Sequence, residues 1–320
     1  MHQDTSDAIN AVGLVHSYDG KKNAVDGMTF NVRRGEVFGV LGRNGAGKST
    51  LIKVLTTLIR PTAGKLTILG MDPSHKSEEI RARIGVVQQD ESFDFTSVEG
   101  NFDIYGVLWG IPKAVRIERR ERLLKEFDLL EIRKKRSFDL SGGQKRRAQV
   151  AREFMHDMDI LFLDEPTVGL DVIMRRNLLD LIKEQVKGGL TVVFTTHNLE
   201  EADYLCDRIA VVESGKVIAL DTVENLKRLY GGKKTVEFAV EGSSGIELVR
   251  AVEQSLDGES TLKVLNDGTA LVLTEDPKKA LRVVVEASQK LGVQLEWLNV
   301  RKNTLEDVFL SSIGEQRSGN

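Results

Sequence analysis

The chain has 320 residues, 41% hydrophobic and 29% charged, which favours two domains and lets the chain bury a core and stay soluble. Its 45 Lys plus Arg against 48 Asp plus Glu leave a formal net charge of −3, so no nucleic-acid partner is expected beyond what a local basic patch could hold. The lone cysteine, Cys206, excludes an intramolecular disulfide and a cysteine-rich metal site, and fits a buried thiol in a reducing compartment.

Residues 1–10 are polar and acidic, without the basic start and apolar stretch of a secretion signal. No apolar run approaches the ~20 residues that span a bilayer, so work at a membrane would need another chain as anchor. Residues 37–41 form a short apolar run that ends in a glycine-rich loop, and 48–58 follow with helical spacing. Residues 160–163, 191–195 and 209–212 are further apolar or β-branched runs. Such runs suit strands buried on both faces, and their alternation with helical segments predicts a wound, mainly parallel α/β sheet. At about 93–158 the texture changes. Residues 116–130 alternate charged pairs with Leu and Phe at helical spacing, which predicts a helical insert.

Tyr230-Gly231-Gly232-Lys233-Lys234 reads as a linker. Beyond it, 235–240 alternates, 246–256 is helical and 261–265 is strand-like. Asn266-Asp267-Gly268 is a turn signal, with alternation again over 269–274. Pro277 opens a helix to residue 291, 293–300 is strand-like, 304–313 helical and 314–320 frayed. The order βαββαβα predicts a small ferredoxin-like α+β domain.

Gly42-Arg43-Asn44-Gly45-Ala46-Gly47-Lys48-Ser49 matches G-x-x-x-x-G-K-S in full, with a strand before it and a helix after it. The glycines let the backbone curl until its amides face phosphate oxygens, and the helix adds its positive N-terminal end. Lys48 is placed to reach the β- and γ-phosphates, Ser49 to ligate Mg²⁺, and Thr50 to assist with the phosphates. The run at 160–163 ends in Asp164 and Glu165. Acids at a strand's C-terminal edge sit where ligands bind in wound sheets. Asp164 is expected to hold Mg²⁺, directly or through water, and Glu165 to polarise an attacking water. Alone, Asp-Glu-Pro is better explained as a strand-end turn, but the phosphate loop upstream reverses that balance.

Leu140-Ser141-Gly142-Gly143-Gln144 precedes a helical stretch over 145–156. Ser141 is a good helix-start residue, and the glycines permit close backbone approach. This makes a second anion-binding helix end, separate from the first and suited to a nucleotide other than the chain's own.

With these motifs in this order the chain resembles the ATP-binding subunits of ABC transporters, whose signature is Leu-Ser-Gly-Gly-Gln, over roughly residues 9–227. The resemblance implies a P-loop ABC ATPase domain over 1–229, a wound, mainly parallel α/β sheet with an antiparallel β portion and a helical insert. The α+β accessory domain, 230–320, would follow. In that family two subunits pack head to tail, with ATP between the phosphate loop of one and the signature of the other. The implied cofactors are ATP and Mg²⁺. The implied partners are a second copy of the chain and an integral-membrane permease, at the cytoplasmic face of the cell membrane.

Carried over residue by residue, Tyr18 matches the aromatic that stacks on adenine. Gln89, in Gly85-Val86-Val87-Gln88-Gln89, matches the glutamine that contacts Mg²⁺ or the lytic water; Gln88 stands where the family often has proline. Asp171, in Gly169-Leu170-Asp171, matches the D-loop aspartate, and Leu170 reads as packing. His197 matches the switch histidine that touches the γ-phosphate. The implied catalytic set is Lys48, Gln89, Glu165 and His197, and the implied metal set Ser49, Gln89 and Asp164. Nucleotide contacts would come from Tyr18, Gly42, Asn44, Gly45, Ala46, Gly47, Lys48, Ser49 and Thr50. The signature residues Ser141, Gly142, Gly143 and Gln144, with Asp171, complete the set.

Ile132-Arg133-Lys134-Lys135-Arg136 reads first as a solvated basic face and second as a contact for a membrane partner. Lys145-Arg146-Arg147 reads as the exposed face of the signature helix. Phe93, Phe95, Phe102 and Tyr105 read mostly as core of the insert; in the family this region also forms the groove that receives the permease. The ending over 302–310 resembles the extension of exporter-type ATPases for drugs and polysaccharides, which implies export. Two other readings stay open: a soluble ABC-type ATPase doing mechanical work on nucleic acid or ribosomes, and an unrelated P-loop kinase or GTPase. Against the first stand the single cassette and the absence of long coiled coils. Against the second stand the signature and His197.

Overall fold

Two sheets of different character build the first of two compact units, Met1–Val223 and Glu224–Asn320. The computed structural model describes residues 7–89, 96–230, 234–240, 245–257, 260–264, 269–301, 304–306 and 308. The readings at Phe93, Phe95, Gly231 to Lys233, Asn266-Asp267-Gly268 and most of 302–320 lie outside the described residues.

β1 (Ile9–Ser17) and β2 (Asn23–Val32) mix buried and exposed positions and pair antiparallel. β3 (Val37–Leu41) is buried throughout and leads through the glycine-rich loop into α1 (Lys48–Leu55). That helix stops before the expected residue 58 because Thr57 takes a left-handed φ of 62°. β4 (Ala63–Ile68) returns to pair antiparallel with β1 and closes a sheet of order β2-β1-β4. α2 (Pro73–Arg81) begins where Asp72 accepts a hydrogen bond from the Ser74 amide, and β5 (Ile84–Val87) follows.

The insert holds α3 (Val98–Leu108), α4 (Lys113–Glu126) and α5 (Gly142–Glu153). Phe102 and Phe127 are fully buried in it. The Tyr105 hydroxyl donates to the buried Glu153 carboxylate, and Trp109 stacks on His156 at 3.9 Å. The basic run before the signature is not simply solvated: Arg133 pairs with both Glu99 and Glu121, and Lys134 also pairs with Glu99.

After the insert come β6 (Ile160–Asp164), α6 (Val172–Lys187), β7 (Thr191–Thr196), α7 (Leu199–Leu205), β8 (Arg208–Glu213) and β9 (Lys216–Thr222). The six-stranded sheet has the order β5-β6-β7-β3-β8-β9, parallel up to β8 and antiparallel at β9. β3, β6 and β7 are buried at every position, as apolar or β-branched runs in a covered parallel sheet should be. Phe38, Phe162 and Phe194 are completely buried there, each contributing on the order of 1.5–3 kcal/mol. Phe30 of the small sheet stacks on Phe38 of the large one at 5.5 Å. Cys206 is buried with a free thiol, as the lone cysteine suggested, and burial raises its pKa. Open α/β sheets bind ligands beyond the carboxyl ends of their strands, so the C-terminal ends of β3, β6 and β7 frame the site.

In the second unit, α8 (Val223–Tyr230) starts at the division. β10 (Lys234–Val240), α9 (Gly245–Ser255), β11 (Thr261–Val264), β12 (Ala270–Thr274), α10 (Pro277–Leu291) and β13 (Leu295–Arg301) follow. The sheet order is β11-β12-β10-β13, with every neighbouring pair antiparallel. This is the split βαβ arrangement of ferredoxin-like domains. Val236, Phe238, Leu248, Val252, Val272 and Val284 pack between sheet and helices. α10 is held between the Asp276 side-chain cap ahead of Pro277 and a left-handed Gly292. Among the described residues, no helix is long and apolar enough to cross a membrane.

Candidate nucleotide-binding site

β3 delivers the chain into a loop that only glycine can form at its tightest points. Gly47 has a φ of 105°, and a Cβ there would lie 2.2 Å from the Ala24 carbonyl oxygen. A Cβ on Gly42 would lie 2.4 Å from the Val212 carbonyl oxygen. Lys48, first residue of α1, folds back over this loop. Its Nζ donates to the carbonyl oxygens of Gly42 (2.8 Å) and Arg43 (3.2 Å) and lies 3.0 Å from Glu165 Oε1. A cavity of about 290 Å³ is lined by Asn44, Gly45, Gly47, Lys48, Ser49 and Thr50, with Gln89 and Glu165. Gln89 thus faces the loop, while the Gln88 carbonyl receives Arg146 at 2.5 Å. Ala46 is buried beside the loop, its amide donating to the Arg43 carbonyl. An adjoining cavity of about 320 Å³ shares Ala24 and Gly45 and is lined by Tyr18 and Asn23. Tyr18 is 63% exposed, which leaves its ring free to be covered by a flat partner. Its hydroxyl lies 3.4 Å from Thr50 Oγ1, and its ring meets His16 edge-on. A larger cavity, about 600 Å³, lies between α1, β4 and α2 and contains none of these motif residues.

The ends of β6 and β7 set the acids. The Thr195 hydroxyl donates to Asp164 Oδ1 at 2.5 Å and accepts from the Glu165 amide at 3.0 Å. That amide also reaches the Thr195 carbonyl at 3.2 Å. Glu165 has a φ of 46°, a conformation that costs a non-glycine residue roughly 1–3 kcal/mol and persists only where the surroundings over-determine it. The turn carries its carboxylate between two cationic or protonatable groups. Oε1 meets Lys48, and Oε2 lies 3.1 Å from His197 Nδ1. Lys48 and Glu165 are buried, whereas half of the His197 side chain is exposed.

The signature turn is built differently. Ser141 Oγ accepts from the Gln144 amide at 3.2 Å, and Gln144 Oε1 accepts from the Ser141 amide at 3.1 Å. This reciprocal capping box fixes the start of α5. A Cβ on Gly142 would meet nothing within 4 Å, whereas one on Gly143 would meet Met174 Sδ at 2.6 Å. None of Ser141, Gly142, Gly143 or Gln144 lines the phosphate-loop cavity. Asp171 caps α6, its Oδ1 accepting from the Met174 amide at 2.8 Å, and Leu170 is buried as packing.

The structure corrects one expectation and adds residues that the sequence reading missed. Arg146 is not on an exposed face. It is 6% exposed, and its guanidinium donates to the carbonyls of Asp164 (2.8 Å), Pro166 (2.9 Å) and Gln88. The signature helix is therefore bolted to the turn that carries Glu165 and to the segment that carries Gln89. Thr195 and Glu201 were also missed. Their partners are remote in sequence, and no local pattern marks them.

Comparison with known proteins agrees with this geometry. The ABC transporter family model matches residues 25–168. The chain is 37% identical to the daunorubicin resistance ATP-binding protein DrrA3 of Streptomyces coeruleorubidus, over 97% of each. It is 36% identical to the Nod factor export ATP-binding protein I of Ralstonia nicotianae, over 96% of this chain and 94% of that one. Among solved structures it is similar to cbiO1 from Clostridium perfringens, part of an ABC transporter complex. That match has a TM-score of 0.65 and 28% identity, covering 70% of this chain and 91% of the other. The phosphate loop, the paired acids and the capped signature turn stand in a chain that belongs to the ABC transporter family, as an ATP-binding, ATP-hydrolysing subunit related to those of drug-resistance and export systems.

Proposed function

We propose that the chain homodimerises head to tail around two ATP molecules and powers export through a separate integral-membrane permease at the cytoplasmic face of the membrane. The observation that carries this reading is the separation of the two phosphate-facing ends. The cavity at Lys48 does not include the signature turn of the same chain, so the amides at the start of α5 are left for a phosphate held by another copy. Apolar side chains exposed near the D-loop and signature support a protein-covered face: Val168, Val172, Ile173 and Phe138. The names of the relatives support export.

Within each site Tyr18 would stack on the adenine. Asn44, Gly45, Gly47 and Thr50 would face the phosphates. Lys48 would leave Glu165 to neutralise β- and γ-phosphate charge, which frees Oε1 for the attacking water. His197, already against Oε2, would orient the γ-phosphate. Phosphoryl transfer needs this positioning and charge stabilisation more than covalent chemistry. The donors present, a hydroxyl (Ser49), a carboxylate (Asp164) and an amide oxygen (Gln89), are the hard oxygens that suit Mg²⁺. Held there, Mg²⁺ would offset charge on the phosphate oxygens. Residues 1–229 would form the ATP-binding domain and 230–320 an accessory domain outside the chemistry; the division into two compact units supports two domains, with its boundary six residues earlier, at Val223.

The test is affinity purification of Glu165→Gln from gently solubilised membranes with ATP and Mg²⁺. Recovery of a multi-span membrane protein in comparable amount supports the proposal. Recovery only from the soluble fraction, as a self-dimer or with ribosomal or DNA-associated proteins, overturns the permease assignment.

A further inference from the structure

One buried carboxylate joins the two strand ends that carry the hydrolytic residues. Two positions beyond Glu165, the Thr167 hydroxyl donates to Glu201 Oε2 at 2.8 Å. Immediately before His197, the Thr196 hydroxyl donates to the same oxygen at 2.8 Å. The other oxygen, Oε1, lies 3.3 Å from Arg175 Nε on α6, the helix capped by Asp171. Glu201, Thr167 and Thr196 are all at least 96% buried. The start of α7 holds Glu201 in turn. Asn198 Oδ1 accepts from the Glu200 and Glu201 amides, and the Asn198 amide donates to Thr196 Oγ1 at 2.9 Å.

A carboxylate that served only packing would be replaced by an apolar side chain, because burying the charge is costly unless it is paired and hydrogen-bonded. The two threonine contacts are directional hydrogen bonds, and Arg175 adds a charge contact at Oε1. The two threonine hydroxyls converge on one atom, so neither the turn after β6 nor the end of β7 can shift without breaking a buried hydrogen bond. Each threonine is one or two residues from a group of the hydrolytic pair. Glu201 itself is not among the residues lining the phosphate-loop cavity.

We propose that Glu201 is a positioning residue for hydrolysis: through Thr167 and Thr196 it sets the approach of the Glu165 carboxylate to the His197 ring, and through Arg175 it ties that pair to the Asp171 end of α6. This rests on the reading that Glu165 and His197 orient the lytic water and the γ-phosphate. The Arg175 arm gives a docked partner copy a mechanical route into the site, since movement of the start of α6 pulls on the same carboxylate that holds both threonines.

The test uses the full chain with Thr167→Val, Thr196→Val, Glu201→Ala and Glu201→Gln. Steady-state ATPase kinetics and equilibrium binding of a fluorescent ATP analogue are read side by side. Each Val variant is nearly isosteric and removes only the hydroxyl, so the question stays answerable if Glu201→Ala fails to fold. The expected result is a kcat about tenfold lower for each Val variant, the scale of loss that small misplacements produce, with analogue affinity within about twofold of wild type. Glu201→Gln, which keeps an oxygen for both threonines, recovers part of the Glu201→Ala loss. In a His197→Ala background, Thr196→Val causes no further loss. Wild-type kcat in both Val variants, or an undiminished Thr196→Val loss in the His197→Ala background, overturns the proposal. If Glu165→Gln and His197→Ala themselves keep full turnover, the underlying reading fails and the proposal falls with it. If those two are inactive while the Val variants are not, the proposal alone fails.

Discussion

Lys48 Nζ lies 3.0 Å from Glu165 Oε1, with only 4% and 8% of the two side chains exposed. The two buried charges are thus each other's counter-ion. Removing one partner of such a pair strands the other charge, at a cost of ~3–5 kcal/mol. Lys48→Met is expected to lower unfolding stability by about 3 kcal/mol, and Lys48→Met/Glu165→Gln to be less damaging than the sum of the single changes. Urea denaturation of the four proteins measures the coupling. Simple additivity would mean that the contact carries no energy.

Gly47 sets a harder limit. Its φ of 105° and the 2.2 Å that a Cβ would leave to the Ala24 carbonyl give the loop no way to accept a side chain. Gly47→Ala should bind ATP at least about 100-fold more weakly while keeping a cooperative unfolding transition, because the loop, and not the sheet, absorbs the change. Isothermal titration with ATP and Mg²⁺ checks it.

Arg146 makes the strongest case for a residue acting across elements. Losing its guanidinium would leave the carbonyls of Asp164, Pro166 and Gln88 short of donors, each buried unmet group costing ~1–3 kcal/mol. Arg146→Met is expected to cost about 3 kcal/mol or more. Arg146→Lys should not rescue it, because one ammonium cannot reproduce the guanidinium fork. Thermal unfolding of both variants, alongside ATPase rate, provides the comparison.

Burial raises the Glu153 carboxyl above its ordinary 4.5, and the nearby Arg152 and the Tyr105 hydroxyl only partly oppose this. The native state therefore holds this proton to higher pH than the unfolded chain does. The stability it contributes is complete below pH 4.5 and is lost as pH rises through the raised native value. Glu153→Gln should flatten the decline of unfolding free energy over that window, so that the variant gains on wild type as pH rises towards neutrality. Denaturation midpoints at several pH values check the slope; identical slopes would contradict it.

Cys206 and Gly39 test the packing of the central strand. A Cβ on Gly39 would lie 2.6 Å from Cys206 Sγ and 3.1 Å from Ile209. Gly39→Ala should cost about 1–3 kcal/mol by overpacking, and Cys206→Ala in that background should return part of it. The native Cys206 thiol, whose pKa is raised by burial, should react with an aromatic disulfide reagent only as the chain unfolds.

The parts of the molecule that sequence reveals are those where physics demands a residue type at a fixed spacing. The phosphate loop needs Gly47 and Lys48 side by side, and the signature helix needs Ser141 three residues before Gln144 to close its cap. β3, β6 and β7 read as apolar or β-branched runs because both faces are covered. Arg146 was misread because a run of three basic residues looks like one solvated face. Successive helix residues point ~100° apart, and the middle one turns inward. Thr195 and Glu201 were invisible for a different reason. Each matters through hydrogen bonds to residues 31 and 34 positions away, and nothing in the local sequence announces that meeting.

The proposed sharing of the site between two copies is tested most directly by the solution mass of Glu165→Gln, measured by light scattering in saturating ATP and Mg²⁺ and again in ADP. The prediction is a species of twice the 35.6 kDa chain mass in ATP, reverting to the monomer in ADP, because the γ-phosphate would bridge the Lys48 cavity of one copy and the Ser141 turn of the other. A mass that stays at 35.6 kDa with ATP bound would contradict a site completed by a second copy.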